Sequence, residues 1–324
     1  MNSTQNNLDN FFNLYKLEKS NYNIIITGNN GCGKYQLIEA ILKKYYSNYS
    51  EENYSNLNNN PDVHYISLPI YDSQNKIIRT LTNEEKILYK FGLIEKIEDK
   101  RIGKEISIDQ IRSLINFTHL TSYINHKFVI INDCDYLNKE AGSALLKTLE
   151  ETQSQTIFFL LTSSIEYIPL TIKSRCHLFN YQPEVKTPTI NSLFEYFLFM
   201  YPQLNQISQN TNLLDDYKNI EEELYLIKHK ELDPISLSDK WNKRGIIILD
   251  YLIVLFTLLA KGNLLPSTNP LKPIYLKISE KIKSTPKKSI YLIDYLIKRK
   301  KDLFYNVNKK LFFDDLLIVL SSKL

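Results

Sequence analysis

A parallel α/β sheet carrying a phosphate-binding type of loop, followed by all-helical segments, is the fold class that this 324-residue sequence predicts. Three observations predict it. Two apolar runs, Phe128-Val129-Ile130-Ile131 and Ile157 to Leu161, are bounded by polar residues and show no alternation, as strands buried on both faces do. Between them, Asn138 stands as a helix cap before Ala141, Ala144, Leu145 and Leu149, spaced by three and four residues, which makes a strand–helix–strand unit. Nearer the start, the apolar stretch Tyr22 to Thr27 runs into Gly28-Asn29-Asn30-Gly31-Cys32-Gly33-Lys34 and then a helix with Leu37, Ile38, Ile41 and Leu42 on one face.

The chain contains eight glycines, and three fall within those seven residues. Glycines there let the backbone approach phosphate oxygens and aim N–H groups at them, and the following helix N-terminus adds favourable potential. Strand before and helix after make GxxxxGK a strong signal for a P-loop fold. The residue after the lysine, however, is Tyr35 rather than the Ser or Thr whose hydroxyl holds Mg²⁺.

The remaining elements follow in order. Residues 1–21 are polar around Phe11, Phe12, Leu14 and Tyr15, a short helix. Residues 46–62 are rich in Asn, Ser and Tyr and lead to a strand from Val63 to Leu68. Residues 70–105 read as charged and irregular, with a helical stretch from Glu84 to Phe91. Ile108, Ile111, Leu114 and Ile115 mark the buried face of a helix before the strand at Phe128. Gln182-Pro183 through Pro188 is a first domain boundary and Asp233-Pro234 a second, which predicts an α/β domain over 1–183 and two helical domains over 184–233 and 234–324. The Pro266 to Pro286 segment, with four prolines, reads as a loop-rich connector.

Composition limits the functions on offer. An apolar fraction of 43% and a charged fraction of 23% are those of an ordinary globular protein. A net charge of +4 makes a weak case for strong free-standing nucleic-acid binding. Cys32, Cys134 and Cys176 are odd in number and scattered, so neither a disulfide framework nor a CxxC pair is expected. The start carries no basic and apolar leader pattern. The longest apolar run, Ile246 to Ala260, contains Asp250 and is shorter than the ~20 residues that cross a bilayer, so it is expected to be a buried bundle helix. The expectation is a cytoplasmic, reduced protein with no membrane partner.

The wording Ala144-Leu145-Leu146-Lys147-Thr148-Leu149-Glu150-Glu151, followed by Pro169-Leu170-Thr171-Ile172-Lys173-Ser174-Arg175-Cys176, closely resembles the bacterial DNA polymerase III clamp-loader subunits, AAA+ proteins of the tau/gamma and delta-prime types, and among them delta-prime. The resemblance is strongest over 128–176, good at 24–42 and 106–114, and thin over 189–232. It implies an AAA+ P-loop module followed by an all-helical lid and an all-helical collar. On the family pattern, Asn132 and Asp133 stand where an acidic pair organises the metal and polarises the attacking water. Asn is a neutral and poorer ligand for a hard cation, and Asp is one methylene shorter than Glu. An active lid would carry a Gly-Ser-x-Arg segment, yet no glycine occurs between Gly142 and Gly245. Phosphoryl transfer is catalysed mostly by positioning and charge neutralisation, so no ATP hydrolysis is expected. Gly28, Gly33 and Lys34 either hold ATP or ADP weakly or form a loop that stays empty. The family's four-cysteine zinc module has no counterpart, and no zinc or other metal is expected.

By the same resemblance, Arg175 of the Ser174-Arg175-Cys176 tripeptide reaches in trans into a neighbour's ATP site, where such a finger contributes roughly 10³–10⁵ in rate in GTPase systems. The alternative is an intrachain salt bridge that braces the strand end. Ser174 and Cys176 are expected to orient the loop, and Thr162 and Ser163, at the sensor position, to cap or pack. Arg112 either touches a phosphate in the assembled complex or is solvated or paired within the chain. The implied partners are tau/gamma and delta subunits, with the sliding clamp and primed DNA reached through the complex. A working tau/gamma-type ATPase, and a scaffold of the same descent outside replication, are the alternatives.

Overall fold

The computed structural model describes residues 3–17, 21–29, 31–49, 60–151, 155–182, 189–210, 214–303 and 308–324. The first proline boundary, over 183–188, and most of the Asn-rich loop, over 50–59, lie outside them. The chain divides into two compact units, Met1–Lys86 with Glu95–Lys186 and Ile87–Ile94 with Thr187–Leu324.

The first unit runs α1 (Ser3–Leu14), β1 (Asn23–Thr27), α2 (Lys34–Ser47), β2 (Val63–Ile66), β3 (Pro69–Tyr71), β4 (Ile77–Thr80), α3 (Asn83–Lys90, whose second half belongs to the other unit), β5 (Lys96–Ile97), β6 (Lys100–Ile102), α4 (Ile108–His119), β7 (Lys127–Asn132), α5 (Lys139–Glu151), β8 (Thr156–Thr162), α6 (Leu170–Lys173) and β9 (His177–Asn180). Five strands form a parallel sheet in the order β2-β7-β8-β1-β9. Every residue of β7 and β8 is buried, because the sheet is covered on both faces. Ile24, Phe128, Ile130, Ile157 and Phe159 share one core with Phe11 of α1 and Leu37, Ile38, Ile41 and Leu42 of α2. The intervening Ile25, Val129, Ile131, Phe158 and Leu160 are equally buried. Asn138 caps α5, its Oδ1 accepting from the Ala141 amide at 2.8 Å. On α4 the buried positions are Gln110, Ile111, Leu114 and Thr118; Ile115 is exposed, against expectation.

The segment read as irregular between 70 and 105 instead holds a small antiparallel sheet, β4-β3-β6-β5. Its strands are two to four residues long, too short for an alternation of apolar and polar residues to announce them.

The second unit is helical: α7 (Leu193–Met200), α8 (Pro202–Asn210), α9 (Ile220–Lys228), α10 (Ser238–Lys243), α11 (Ile247–Lys261), α12 (Leu271–Ile282), α13 (Pro286–Asp302) and α14 (Lys309–Lys323). The expected connector over Pro266–Pro286 is in fact mostly α12. Pro273 lies in the first turn of that helix, where its missing N–H leaves no intrahelical bond unmade. The long apolar run is α11, mostly buried in a core that joins Phe197, Tyr217 and Leu224 before Asp233 to Trp241, Leu292 and Phe312 after it. A buried polar knot ties these helices together: the Glu223 carboxylate accepts from Trp241 Nε1 and Arg244 Nη2, each at 2.8 Å, and Arg244 Nη2 also donates to the Asp216 carbonyl at 2.7 Å.

Candidate functional site

The phosphate-type loop leaves β1 at Thr27 and enters α2 at Lys34. Gly31 and Gly33 have φ of 80° and 92°, in the left-handed region that other side chains resist. Gly28 serves a different need: a Cβ there would lie 2.6 Å from the Tyr181 carbonyl oxygen and 2.9 Å from Cys32 Sγ. The Lys34 ammonium turns back into its own loop, donating to the carbonyls of Gly28 at 2.6 Å and Asn29 at 2.9 Å. The three residues expected to cradle a nucleotide are thus brought together, with the lysine engaged by backbone oxygens.

At the neighbouring positions, the residues present do not fit a magnesium ion. Tyr35 packs its ring edge-to-face against Tyr65, centroids 5.8 Å apart. Burial, and then the Glu39 carboxylate, push its phenol up to about 12, so it stays neutral. Asn132, buried at the end of β7, donates its amide to the Tyr65 hydroxyl at 2.8 Å. Asp133 carries a carboxylate, but Lys86 Nζ of α3 stands 3.0 Å from it. A hard divalent cation needs several oxygen ligands; here it would meet a phenol ring, an amide spent on another phenol, and an ammonium. Among the described residues no group of three or more His, Cys, Asp or Glu side chains gathers into a metal site.

The sensor-position residues are tied inward as well. Asp135 accepts from the Ser163 amide at 3.0 Å, from Ser163 Oγ at 2.6 Å and from the Thr162 hydroxyl. Thr162 and Ser163 thereby fasten the end of β8 to the turn after β7.

Arg175 lies on a different kind of ground. Its side chain is 39% exposed on the turn between α6 and β9. The guanidinium pairs with the Glu150 carboxylate, itself 48% exposed, and Nη1 donates to the Thr171 carbonyl at 2.9 Å and to Ser174 Oγ at 3.2 Å. Asn23 Nδ2 braces the corner from below, reaching the carbonyls of Arg175 at 3.2 Å and Leu149 at 3.4 Å. Ser174 and Cys176 flank it as the tripeptide anticipates; burial pushes the Cys176 thiol up to about 12. Arg112 pairs with Asp109 at 3.4 Å, both exposed. Sequence reasoning missed four residues: Lys86, Tyr65, Glu150 and Asn23. Glu150 sits inside a quoted motif and was open to notice; the other three are joined to the site by the fold alone.

The family model described as "DNA polymerase III, delta subunit" matches residues 3–185. The chain is 35% identical over 81 residues to the DNA polymerase III subunit delta' of Pseudomonas aeruginosa, covering 25% of this chain and 25% of that protein. It is 40% identical over 92 residues to the DNA polymerase III subunit tau of Bacillus subtilis, covering 28% of this chain and 16% of that one. These matches therefore span a quarter or less of the relatives' own lengths. Among solved structures, a DNA polymerase III gamma subunit-related protein of Thermotoga maritima aligns with a TM-score of 0.48 at 17% identity, over 98% of this chain and 99% of that one. With more than half of its residues matched by one family model, the chain belongs to the DNA polymerase III delta subunit family, among the AAA+ proteins of the clamp-loader group.

Proposed function

We propose that the chain is a delta-prime type subunit of the clamp loader and acts as an ATPase-inactive stator. It works in the cytoplasm beside tau/gamma and delta subunits. Arg175 enters the ATP site of a tau/gamma neighbour, with Ser174 and Cys176 holding the corner, and the complex loads the sliding clamp onto primed DNA. Residues 184–233 and 234–324 take the parts of lid and collar. Gly28, Gly33 and Lys34 hold at most a weakly bound ATP or ADP, and no zinc is needed.

One contrast carries this reading. The chain's own metal positions are filled by Tyr35, Tyr65, Asn132 and Lys86, while Arg175 stands at the surface on an exposed partner. A guanidinium is always charged and offers a planar fork to phosphate oxygens. An exposed ion pair contributes about 0–1 kcal/mol, so a phosphate can displace Glu150 at little cost.

The test is reconstitution with tau/gamma and delta subunits. Arg175→Ala should leave assembly intact and lower the ATPase of the complex, while the chain alone should show no magnesium-dependent turnover. The 40% identity to a tau subunit over 92 residues favours a second reading, a working ATPase; steady-state hydrolysis by the purified chain would establish it and sink the first.

A further inference from the structure

Asp133 follows the last residue of β7 and has a left-handed backbone, φ 70° and ψ 58°. Asp tolerates that region better than most residues, but at a cost that the surroundings must offset. The compensating partner is Lys86, on α3. Its Nζ lies 3.0 Å from Asp133 Oδ2, and the two side chains are only 6% and 12% exposed. An ammonium and a carboxylate at that depth each need the other, because burying a charge without a counter-charge is costly. Tyr65, near enough to feel the Asp133 charge, packs its ring on Tyr35 and accepts from the Asn132 amide.

In P-loop enzymes the acidic strand end serves a metal ion that neutralises phosphate charge. We propose that Lys86 is the resident counter-cation of this site: it supplies, from within the chain, the positive charge that a divalent metal would otherwise bring to Asp133, and in doing so excludes the metal. The inference rests on reading residues 28–35 and 132–133 as a lapsed nucleotide site, and it names what closed that site. It also gives α3 a role, since the helix is fastened to the sheet through a charge at the former reaction centre.

Two measurements on the full-length chain test it. In the first, Lys86→Met and Asp133→Asn each lower the thermal midpoint by about 5 °C or more, because each leaves a lone buried charge. The double variant loses clearly less than the sum of the two, since it leaves none. Strictly additive losses overturn the pairing. In the second, Tyr35→Thr and Asn132→Asp are combined with either Lys86 or Lys86→Met, and Mn²⁺ alone is titrated by paramagnetic resonance. Mn²⁺ should bind at least about tenfold tighter where Lys86 is gone, about 1.4 kcal/mol by the usual conversion. Equal affinity in both backgrounds, or binding in neither, overturns the exclusion. Neither measurement reads Arg175, so failure here leaves the proposed finger standing, and loss of the finger leaves the Lys86 result intact.

Discussion

The two ends of β9 make an instructive pair. Beyond its C-terminal end, Tyr181 presses on the phosphate-type loop, where the polar groups described above face inward: Lys34 onto loop carbonyls, Asn132 onto Tyr65, Asp133 onto Lys86, Thr162 and Ser163 onto Asp135. Before its N-terminal end, Arg175 is held by an exposed carboxylate and by a turn. One corner has satisfied its chemistry internally; the other keeps a cation where solvent, or a partner, can reach it. The lesson is that surviving motif residues say less about such a corner than where its polar groups are spent. Gly28, Gly33 and Lys34 are all present, and the neighbouring positions are nonetheless filled.

Substitutions can break or sharpen this contrast. The largest effect should separate the two cations. In the reconstituted complex Arg175→Ala is expected to reduce ATP turnover at the neighbour's site it enters by about 10³ or more, whereas Lys34→Ala should change it by less than about twofold; the reverse order would invert the assignment of the two corners. Next comes Gly28→Ala. The added methyl meets the Tyr181 carbonyl at 2.6 Å, and the forced shift should cost about 1–3 kcal/mol in urea unfolding; a neutral result would show that the loop is looser than the internal bonds imply. Thiol chemistry gives a smaller signal. A raised pKa keeps Cys176 protonated through neutral pH, and the thiolate is the nucleophile. Iodoacetamide at pH 8 should therefore label it at least about tenfold more slowly than glutathione, with the rate climbing only toward the alkaline extreme. Glu150→Gln should do least to stability, under about 1 kcal/mol, because the pair is exposed. A larger loss would mean that Arg175 is a brace for the strand end.

Much of the sheet could be read from the chain because its central strands are buried on both faces. Phe128–Ile131 and Ile157–Leu161 are apolar without interruption, and the structure extends them by a single residue at each end. The loop at 28–34 was legible for a chemical reason, since glycines at 31 and 33 meet a real backbone demand. The small sheet between 69 and 102 was not, because strands of two to four residues are too short to carry a period. Nor was Lys86: a lysine on a short helix reads as solvated until the left-handed turn at Asp133 brings a carboxylate to it. Tyr65 looked like an ordinary strand residue, and its role depends on β2 lying next to β7. That Tyr35 stands where a P-loop carries Ser or Thr was visible; what its ring packs against was not.

The Glu223 knot makes the helical unit vulnerable to acid. Burial alone would raise that carboxyl, but the bonds it accepts from Arg244, Lys240 and Trp241 outweigh burial and leave it below the ordinary glutamate value. A lowered folded value means the stabilisation is whole above the ordinary range and drains away as the medium is acidified through the lowered one. Once Glu223 takes up a proton, Arg244 keeps its charge in a helical core and loses the carboxylate it pairs with there. Acid below the ordinary glutamate range should therefore loosen residues 216–244.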